Sequence, residues 1–170
     1  MLLSTYRLND GTQLLVRPIR ADDKRLLSKA FARLSPETVR KRFLAPKKRL
    51  TTAELKYLTE IDGSDHAAVV AVMASKPWII VGVGRYVRLA DDSETADVAV
   101  VVGDPWQHQG LGRHLGALLA DIARAHGIRH FSATLLSDNV AAHRLFAAIS
   151  DRLRAHHSHG VEELVADLAA

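Results

Sequence analysis

Hydrophobic and polar positions follow two different rhythms in the first part of this chain. Residues 13–19 (QLLVRPI) alternate as a strand does, whereas residues 21–34 repeat apolar side chains at helical spacing after an aspartate-rich start. Ser35, followed by proline, and Thr51, in the capping box TTAE, each predict the start of another helix. We therefore expect one strand followed by three helices.

The pattern changes from residue 67 onward, where β-branched residues dominate. Apolar runs at 67–74, 79–89 and 95–102 are separated by short polar turns and predict three consecutive antiparallel strands. A helix, a strand and another helix are predicted next, and a closing hairpin follows around His159-Gly160. The corresponding segments are 111–127, 130–136, 140–149, 152–158 and 161–168.

Composition narrows the class of protein. The length of 170 residues and the hydrophobic content of 48% predict a single domain over residues 1–170 with a buried core. The longest uninterrupted apolar runs, 67–74 and 78–83, fall well short of the roughly 20 residues that span a bilayer. The N-terminus lacks the pattern of a signal peptide, and the absence of cysteine excludes disulfides and thiolate zinc sites. We expect a cytoplasmic protein that does not enter a membrane.

Charge is distributed unevenly along the chain. Residues 1–60 hold 14 Lys and Arg against 6 Asp and Glu, while residues 61–170 hold 9 against 13. The basic run at 39–49 (VRKRFLAPKKR) could mark a nucleic-acid surface, an acidic protein partner or a solvated helix end. Phe43 is the only aromatic residue in this run, whereas nucleic-acid binders interleave more of them. We therefore favour the solvated helix end and expect no nucleic acid.

A glycine-bearing turn joins the predicted strand at 95–102 to the helix at 111–127. Gly110 and Gly112 allow backbone amides to close around an anion, and the helix start points its partly positive end at the same place. The pattern Gln107-x-x-Gly110-x-Gly112 lacks the Gly-Lys-Ser/Thr ending of a nucleotide P-loop and the glycine spacing of a dinucleotide turn. We expect a phosphate-bearing ligand other than ATP or NAD.

The downstream sequence makes this turn more specific. Strand, anion turn, helix, strand, asparagine and helix in this order resemble the GNAT acyltransferase superfamily, whose members bind acetyl-CoA through a Gln/Arg-x-x-Gly-x-Gly/Ala turn followed later by Asn-x-x-Ala. Here the matching residues are Gln107, Gly110, Gly112, Asn139 and Ala142. The resemblance implies an α/β (α+β) fold, in which a mixed, mostly antiparallel sheet of about seven strands is flanked by helices.

Upstream segments extend the resemblance from about Leu8 to Leu168. LNDGTQLLVRPIRADD, LSPETVRKRF, LTTAELKYLTEIDGSDHAAVVAV and IVGVGRYVR resemble the acetyltransferase domain of bacterial protein lysine acetyltransferases that modify acyl-CoA synthetases. This resemblance implies that an acetyl group passes from acetyl-CoA to a primary amine by direct attack in a ternary complex. The expected acceptor is a protein such as an acyl-CoA synthetase.

The resemblance also implies a set of cofactor-binding residues. The family's splayed strand corresponds here to residues 97–102, whose backbone would bind the pantetheine arm and the thioester oxygen. Asn139 either hydrogen-bonds the cofactor or caps its own helix, and Phe146 replaces a tyrosine found in many members and either lines the pocket or belongs to the core. The predicted set is Val100, Val101, Val102, Gln107, His108, Gln109, Gly110, Leu111, Gly112, Arg113, Asn139 and Phe146.

A carboxylate is expected to act as general base, because a lysine amine is almost fully protonated at neutral pH. The lysine acetyltransferases place a glutamate in an Ala-Glu-x-Ala setting, and Asp97 stands at that position here. Its shorter side chain draws the carboxylate back by about 1.5 Å, so a bridging water is one way to reach the amine. Asp97 could also be an ordinary polar residue on a half-exposed strand, and Glu94 is the second candidate base.

Three histidines near the C-terminus, His156, His157 and His159, lack carboxylate partners in sequence and are expected to be exposed polar residues, so we assign no metal.

Three functions stay open. The favoured one is acetylation of a protein lysine, and the second is acetylation of a small amine. The third is an inactive acyl-CoA-binding regulatory module, since both Asp97 and Phe146 depart from the usual proton-handling residues.

Overall fold

An eight-stranded sheet runs through the structure, a computed structural model that describes residues 1–168. The strands are β1 (Ser4–Arg7), β2 (Gln13–Pro18), β3 (His66–Met73), β4 (Ile80–Arg88), β5 (Thr95–Val102), β6 (His130–Leu136), β7 (Ser150–Ser158) and β8 (Val161–Leu168). Their spatial order is β1-β2-β3-β4-β5-β6-β8-β7, and within the described chain the pair β5 and β6 is parallel while the other neighbours are antiparallel.

Five helices cover the two faces of this sheet. They are α1 (Lys24–Ala32), α2 (Pro36–Phe43), α3 (Thr52–Thr59), α4 (Leu111–Ala125) and α5 (Val140–Ile149). The two predicted caps are confirmed: the Ser35 hydroxyl accepts from Thr38 N at 3.2 Å, and Thr51 and Glu54 form the reciprocal capping box. These caps satisfy backbone donors that a helix start leaves without an intrahelical partner.

The expected mixed, mostly antiparallel architecture is confirmed, but the sheet has eight strands rather than about seven. The additional strand is β1, which pairs with β2 from Ser4↔Val16 to Arg7↔Gln13. It has only four residues and lies at an edge, where half of its side chains face solvent. Such a short segment shows too little alternation to be recognised from sequence.

Two hydrophobic cores form, one on each face of the sheet. α4 and α5 pack on the first face over a core that includes Leu115, Leu119 and Phe131. α1, α2 and α3 cover the second face over a smaller core that includes Val39 and Val70. We call these the α4 face and the α1–α3 face.

The sheet opens between β5 and β6. These two strands pair only from Thr95 to Asp97, opposite His130 to Ser132, whereas β5 stays paired with β4 as far as Gly82↔Val102. Residues 98–102 of β5 therefore lack a neighbour on one side, and we call this opening the fork.

None of the helices within residues 1–168 has the length and apolar character needed to cross a membrane.

Candidate active site

Backbone groups of β5 line the fork. Gly103 N donates to Val81 O of β4 at 2.8 Å, and the groups of successive residues in an antiparallel pair alternate in direction. Val102 and Val100 therefore turn their backbone N–H and C=O groups away from β4 and toward the fork. The structure thus has, at this position, the splayed strand that the family resemblance implied.

The glycine turn lies directly after β5, at the open end of the fork. His108 has φ 62° and Gly110 has φ 83°, so the chain reverses through the left-handed region just before α4 begins at Leu111. The first N–H groups of a helix have no intrahelical acceptor, and α4 begins directly after this turn. A Cβ on Gly112 would lie 3.8 Å from Val100 and Val102, so the helix start is seated on β5.

The N-terminal strand braces this turn from the other side. The Tyr6 hydroxyl donates to Gln109 O at 2.6 Å, and the Gln109 side chain accepts from Asn9 N at 2.8 Å. Ser4 Oγ lies 2.9 Å from Nε2 of His114, whose ring packs against Tyr6. Sequence reasoning missed these contacts, because they join residues about a hundred positions apart and no local pattern marks them.

The Gln107 side chain also stabilises the turn. Its amide donates to Val102 O at 2.9 Å and to the Thr38 hydroxyl at 3.2 Å. Of the predicted turn residues, His108, Gly110 and Arg113 are exposed. The Gln107 side chain is therefore engaged within the protein, and the binding of an anion at this turn stays a prediction.

Asp104 links the turn to the α1–α3 face. Its carboxylate accepts from the Ser35 backbone N at 2.9 Å and from the hydroxyls of Ser35 and Thr38 at 2.7 Å and 2.6 Å. Burial opposes ionisation, but these hydrogen bonds outweigh it and lower the pKa of Asp104. An ionised Asp104 therefore holds the start of α2 against the segment that leads into the turn.

Asp97 stands where the fork opens, since it is the last β5 residue that pairs with β6. Its neighbours Ala96 and Val98 pack into the core of the α4 face, so Asp97 lies on the α1–α3 face. The carboxyl group remains accessible to solvent. Partial desolvation by the surrounding protein nevertheless raises the pKa of Asp97. The positive charge of Arg42 opposes this rise without cancelling it. An accessible carboxylate with a raised pKa is suited to accept a proton.

Glu94 lies at the closed end of the fork. It precedes β5, its backbone carbonyl accepts from Arg129 N and His130 N, and its carboxylate lies 3.4 Å from the Arg129 guanidinium. The fork extends in the opposite direction, from Asp97 toward Val102. The geometry therefore favours Asp97 over Glu94 as the general base.

The remaining predicted residues have mixed surroundings. Asn139 Oδ1 accepts from Ala142 N at 3.2 Å and so caps α5, while Phe146 is buried in the core of the α4 face. Val101 points to the α1–α3 face, opposite to Val100 and Val102. His156, His157 and His159 are exposed, as predicted, but the expectation that they lack carboxylate partners is wrong for His157, whose Nε2 lies 3.4 Å from Oε1 of Glu162 across the β7–β8 pair. Within residues 1–168 no cluster of three potential metal ligands occurs.

A cavity of about 110 Å³ lies on the α1–α3 face, and sequence reasoning did not predict it. It is lined by residues of α1, α2, α3, β4 and β5 and by the segment Asp104–Trp106, and most of its lining is apolar. Ala99 and Val101 form part of its floor, two and four residues after Asp97 on the same face of β5. Arg42 and Arg85 also line it.

Comparison with known proteins identifies the family to which this chain belongs. Residues 31–149 match the Acetyltransferase (GNAT) family. The chain is also 32% identical over 143 residues to acetyltransferase PA5475 of Pseudomonas aeruginosa, covering 84% of this chain and 76% of that protein. The chain therefore belongs to the GNAT acetyltransferase family.

Solved structures agree with this assignment. The GNAT domain of S. lividans PAT superposes with a TM-score of 0.86 at 29% identity, covering 97% of this chain and 96% of that one. A cAMP-binding acyltransferase from Mycobacterium smegmatis gives a TM-score of 0.67 at 26% identity. It covers all of this chain, which spans only 48% of that protein. The yncA protein of Salmonella typhimurium, solved with its cofactor acetyl-CoA, shares the fold at 16% identity with a TM-score of 0.68.

Proposed function

We propose that this protein transfers an acetyl group from acetyl-CoA to a primary amine, and that the amine belongs to a protein lysine. One observation carries the proposal: the fork begins at Asp97 and ends at the glycine turn that precedes α4. Residues 98–102 span about 16 Å along the strand. A ligand held by its phosphates at the turn and extended along the fork would place its far end beside Asp97.

Acetyl-CoA matches the groups that line this path. Its phosphates would be held by the amides around Gly110 and the start of α4. Its pantetheine arm would be held by the backbone N–H and C=O of Val100 and by the N–H of Val102, whose carbonyl already accepts from Gln107. The yncA protein, which shares the fold, holds acetyl-CoA. Bound acetyl-CoA would supply an electrophilic thioester carbonyl. Backbone N–H groups of β5 would then be the nearest fixed donors to the thioester oxygen.

Asp97 would prepare the acceptor. A lysine ammonium must lose a proton before its nitrogen can attack, and the carboxylate of Asp97, directly or through one water, would accept it. The chain has phenylalanine at position 146, so this helix offers no phenol to protonate the departing thiolate. A thiol with an ordinary pKa near 8.5 leaves adequately as the thiolate.

A protein acceptor is supported by sequence and charge. The upstream segments resemble those of lysine acetyltransferases that modify acyl-CoA synthetases, and the chain is 29% identical to the GNAT domain of S. lividans PAT. Residues 1–60 would supply much of the wall that contacts the acceptor, and they hold 14 basic against 6 acidic residues, an excess that suits an acidic protein surface. An acyl-CoA synthetase acceptor would place the reaction in the cytoplasm.

The test is thiol release from acetyl-CoA, measured with an acyl-CoA synthetase and, separately, with a panel of small amines. Asp97→Asn keeps the shape of the side chain and removes the base, so we expect the rate to fall by about 10² to 10⁴-fold. Glu94→Gln is the matched change at the closed end and should stay close to wild type. If Glu94→Gln abolishes turnover and Asp97→Asn does not, Glu94 is the base.

An inactive acyl-CoA-binding module is the second candidate, favoured by aspartate at position 97 and phenylalanine at position 146. Calorimetry with coenzyme A separates the two functions. Binding without thiol release above background for any acceptor would replace the enzyme by the module. Release with small amines alone would leave the reaction in place and remove the protein acceptor.

A further inference from the structure

Two arginines line the cavity of the α1–α3 face without an ion-pair partner among residues 1–168. Arg85 lies on β4 and only 6% of its surface is exposed. Its Nη1 donates to Leu58 O at 3.0 Å and lies 3.0 Å from Nε2 of His66. The rest of this guanidinium makes no hydrogen bond within the described chain, although a guanidinium carries five N–H donors.

Arg42 lies on α2 and faces the same space. Its guanidinium carbon lies 4.8 Å from the centre of the Phe43 ring, and residues 1–168 provide no carboxylate in ion-pair contact with it. Burial lowers its pKa, as burial and the charge of Arg42 lower that of Arg85 to about 10. Asp97 acts on Arg42 only at longer range.

The charge of this cavity is therefore not balanced by its own lining. Arg33 adds a third cationic side chain, and Asp104 is the one carboxylate among the described lining residues. Asp104 is already hydrogen-bonded to Ser35 and Thr38. Arg33 is exposed and Arg42 is half-exposed, so part of this positive charge can be reached from solvent. Arg42 and Arg85 are nevertheless partly desolvated and have no carboxylate beside them in the described chain, so an anion that arrives from outside would be attracted to them.

We propose that the acceptor carries a carboxylate, which binds at Arg42 and Arg85 while its amine is presented to Asp97. Arg85 pairs with Ala99 across the sheet, and Ala99 lies two residues, about 7 Å, from Asp97 on the same face. A carboxylate a few bonds from the reacting amine could reach the cavity from there. This inference rests on the proposed acetyl transfer and specifies which amines are preferred.

The same carboxylate chemistry has two possible sources. One is an aspartate or glutamate side chain next to the acceptor lysine of a protein, and the other is the free α-carboxylate of a small amino acid. Planar, two-point recognition of a carboxylate is what guanidinium groups do best, and a partly desolvated site strengthens it. Both sources should therefore be compared with neutral amides of the same shape.

The experiment measures kcat and KM for thiol release with two matched acceptor pairs. The first pair is a blocked peptide with Lys-Asp and its Lys-Asn counterpart, and the second is Nα-acetyl-lysine and its amide. Each pair presents the same side-chain amine, so the ratio of kcat/KM within a pair reports the carboxylate alone. We expect the acidic member of at least one pair to be preferred by about tenfold or more, mainly through KM.

Arg42→Gln tests the assignment, and Lys41→Gln is its control because it removes the same charge one residue away outside the cavity. Any effect of Arg42 on proton transfer at Asp97 acts on both members of a pair and cancels in the ratio. Arg42→Gln should bring the ratio close to one, while Lys41→Gln should retain the wild-type ratio. Arg42→Lys should recover part of it, since it restores charge without the planar fork.

The outcomes separate the two proposals. A preference in the peptide pair alone identifies a flanking acidic residue, and a preference in the amino-acid pair identifies a free carboxylate. Turnover of all four acceptors at ratios near one, or a preference that survives Arg42→Gln, would overturn the carboxylate inference and leave acetyl transfer intact. Absence of turnover with every acceptor, the acyl-CoA synthetase included, would instead count against the proposed function.

Discussion

The two faces of the sheet contribute to the candidate site by different means. On the α4 face, the fork and the turn offer backbone groups, and the conformation of a few residues, such as Gly110 at φ 83°, decides where those groups point. On the α1–α3 face, the cavity offers side chains, chiefly Arg42 and Arg85. The candidate cofactor path is thus made mainly of backbone groups, and the cavity beside it is made of side chains.

This difference explains why one ligand is easier to infer than the other. A backbone turn leaves a compact glycine pattern in the sequence, so a phosphate-bearing ligand follows from a few adjacent residues. The acceptor wall gathers Arg42 from α2, Arg85 from β4 and Asp97 from β5, and no local pattern joins them. The acceptor must therefore be inferred from the assembled structure.

Gly110→Ala should give the largest change on the α4 face. A side chain there would adopt φ 83°, and its Cβ would lie 2.6 Å from the Tyr6 hydroxyl, so the turn must shift. Calorimetry should show the affinity for coenzyme A falling by at least about tenfold, given the roughly 1–2 kcal/mol of left-handed strain. Gly112→Ala places a methyl group in ordinary contact at 3.8 Å and should lose much less. Equal losses in the two variants would contradict the role given to the Gly110 conformation.

Tyr6→Phe should give a smaller change on the same face. It removes the hydrogen bond to Gln109 O and leaves the ring contact with His114. One lost hydrogen bond is worth about 1 kcal/mol, so we expect the dissociation constant for coenzyme A to rise about fivefold. Steady-state kinetics should show this in KM for acetyl-CoA, with the acceptor preference unaltered. A changed acceptor ratio would mean that the two faces are not separate.

His66→Gln probes the α1–α3 face and should affect stability only at acid pH. Burial, followed by the charge of Arg85, lowers the pKa of His66 to about 4. The unfolded side chain titrates near 6.5, so the unfolded state binds a proton more readily between these values. The stability due to neutral His66 is complete above pH 6.5 and is lost as the pH falls toward 4.

Urea unfolding at pH 7 and pH 5 measures this loss. Relative to its value at pH 7, the wild type should lose up to about 2 kcal/mol more than His66→Gln at pH 5. His156→Gln, an exposed histidine on β7, should behave as the wild type does. Parallel pH dependence in the wild type and His66→Gln would show that His66 is not held neutral beside Arg85.

Much of the fold could be predicted from local sequence. The caps at Ser35 and Thr51 and the apolar run at 140–149 correspond closely to the starts of α2 and α3 and to α5. β1 was missed because a four-residue edge strand has almost no periodic signal. It nevertheless contributes Tyr6, whose contact with Gln109 depends on the completed sheet.

The parts of the candidate site that lie close together in the sequence could be predicted, and the parts that come from distant segments could not. The turn around Gly110 and the edge of β5 lie in one continuous segment, and the structure brings them together. Gln107 shows the limit of a motif, since its side chain reaches Val102 O and Thr38. Arg85 lies within an apolar strand, where its sequence gives no sign that its charge is left without a carboxylate partner in the described chain.

The hydrogen bonds of Asp104 restrict how new specificities can be made from this domain. Asp104 belongs to the segment that leads into the glycine turn, yet its hydrogen bonds hold the first turn of α2. Arg42 lies near the end of the same helix. In a chimera whose first three helices come from a relative, Asp104 would lose its hydrogen bonds to Ser35 and Thr38 unless these two residues were kept. A change of acceptor specificity is therefore better attempted by substituting individual surface residues of α2 than by replacing the three helices together.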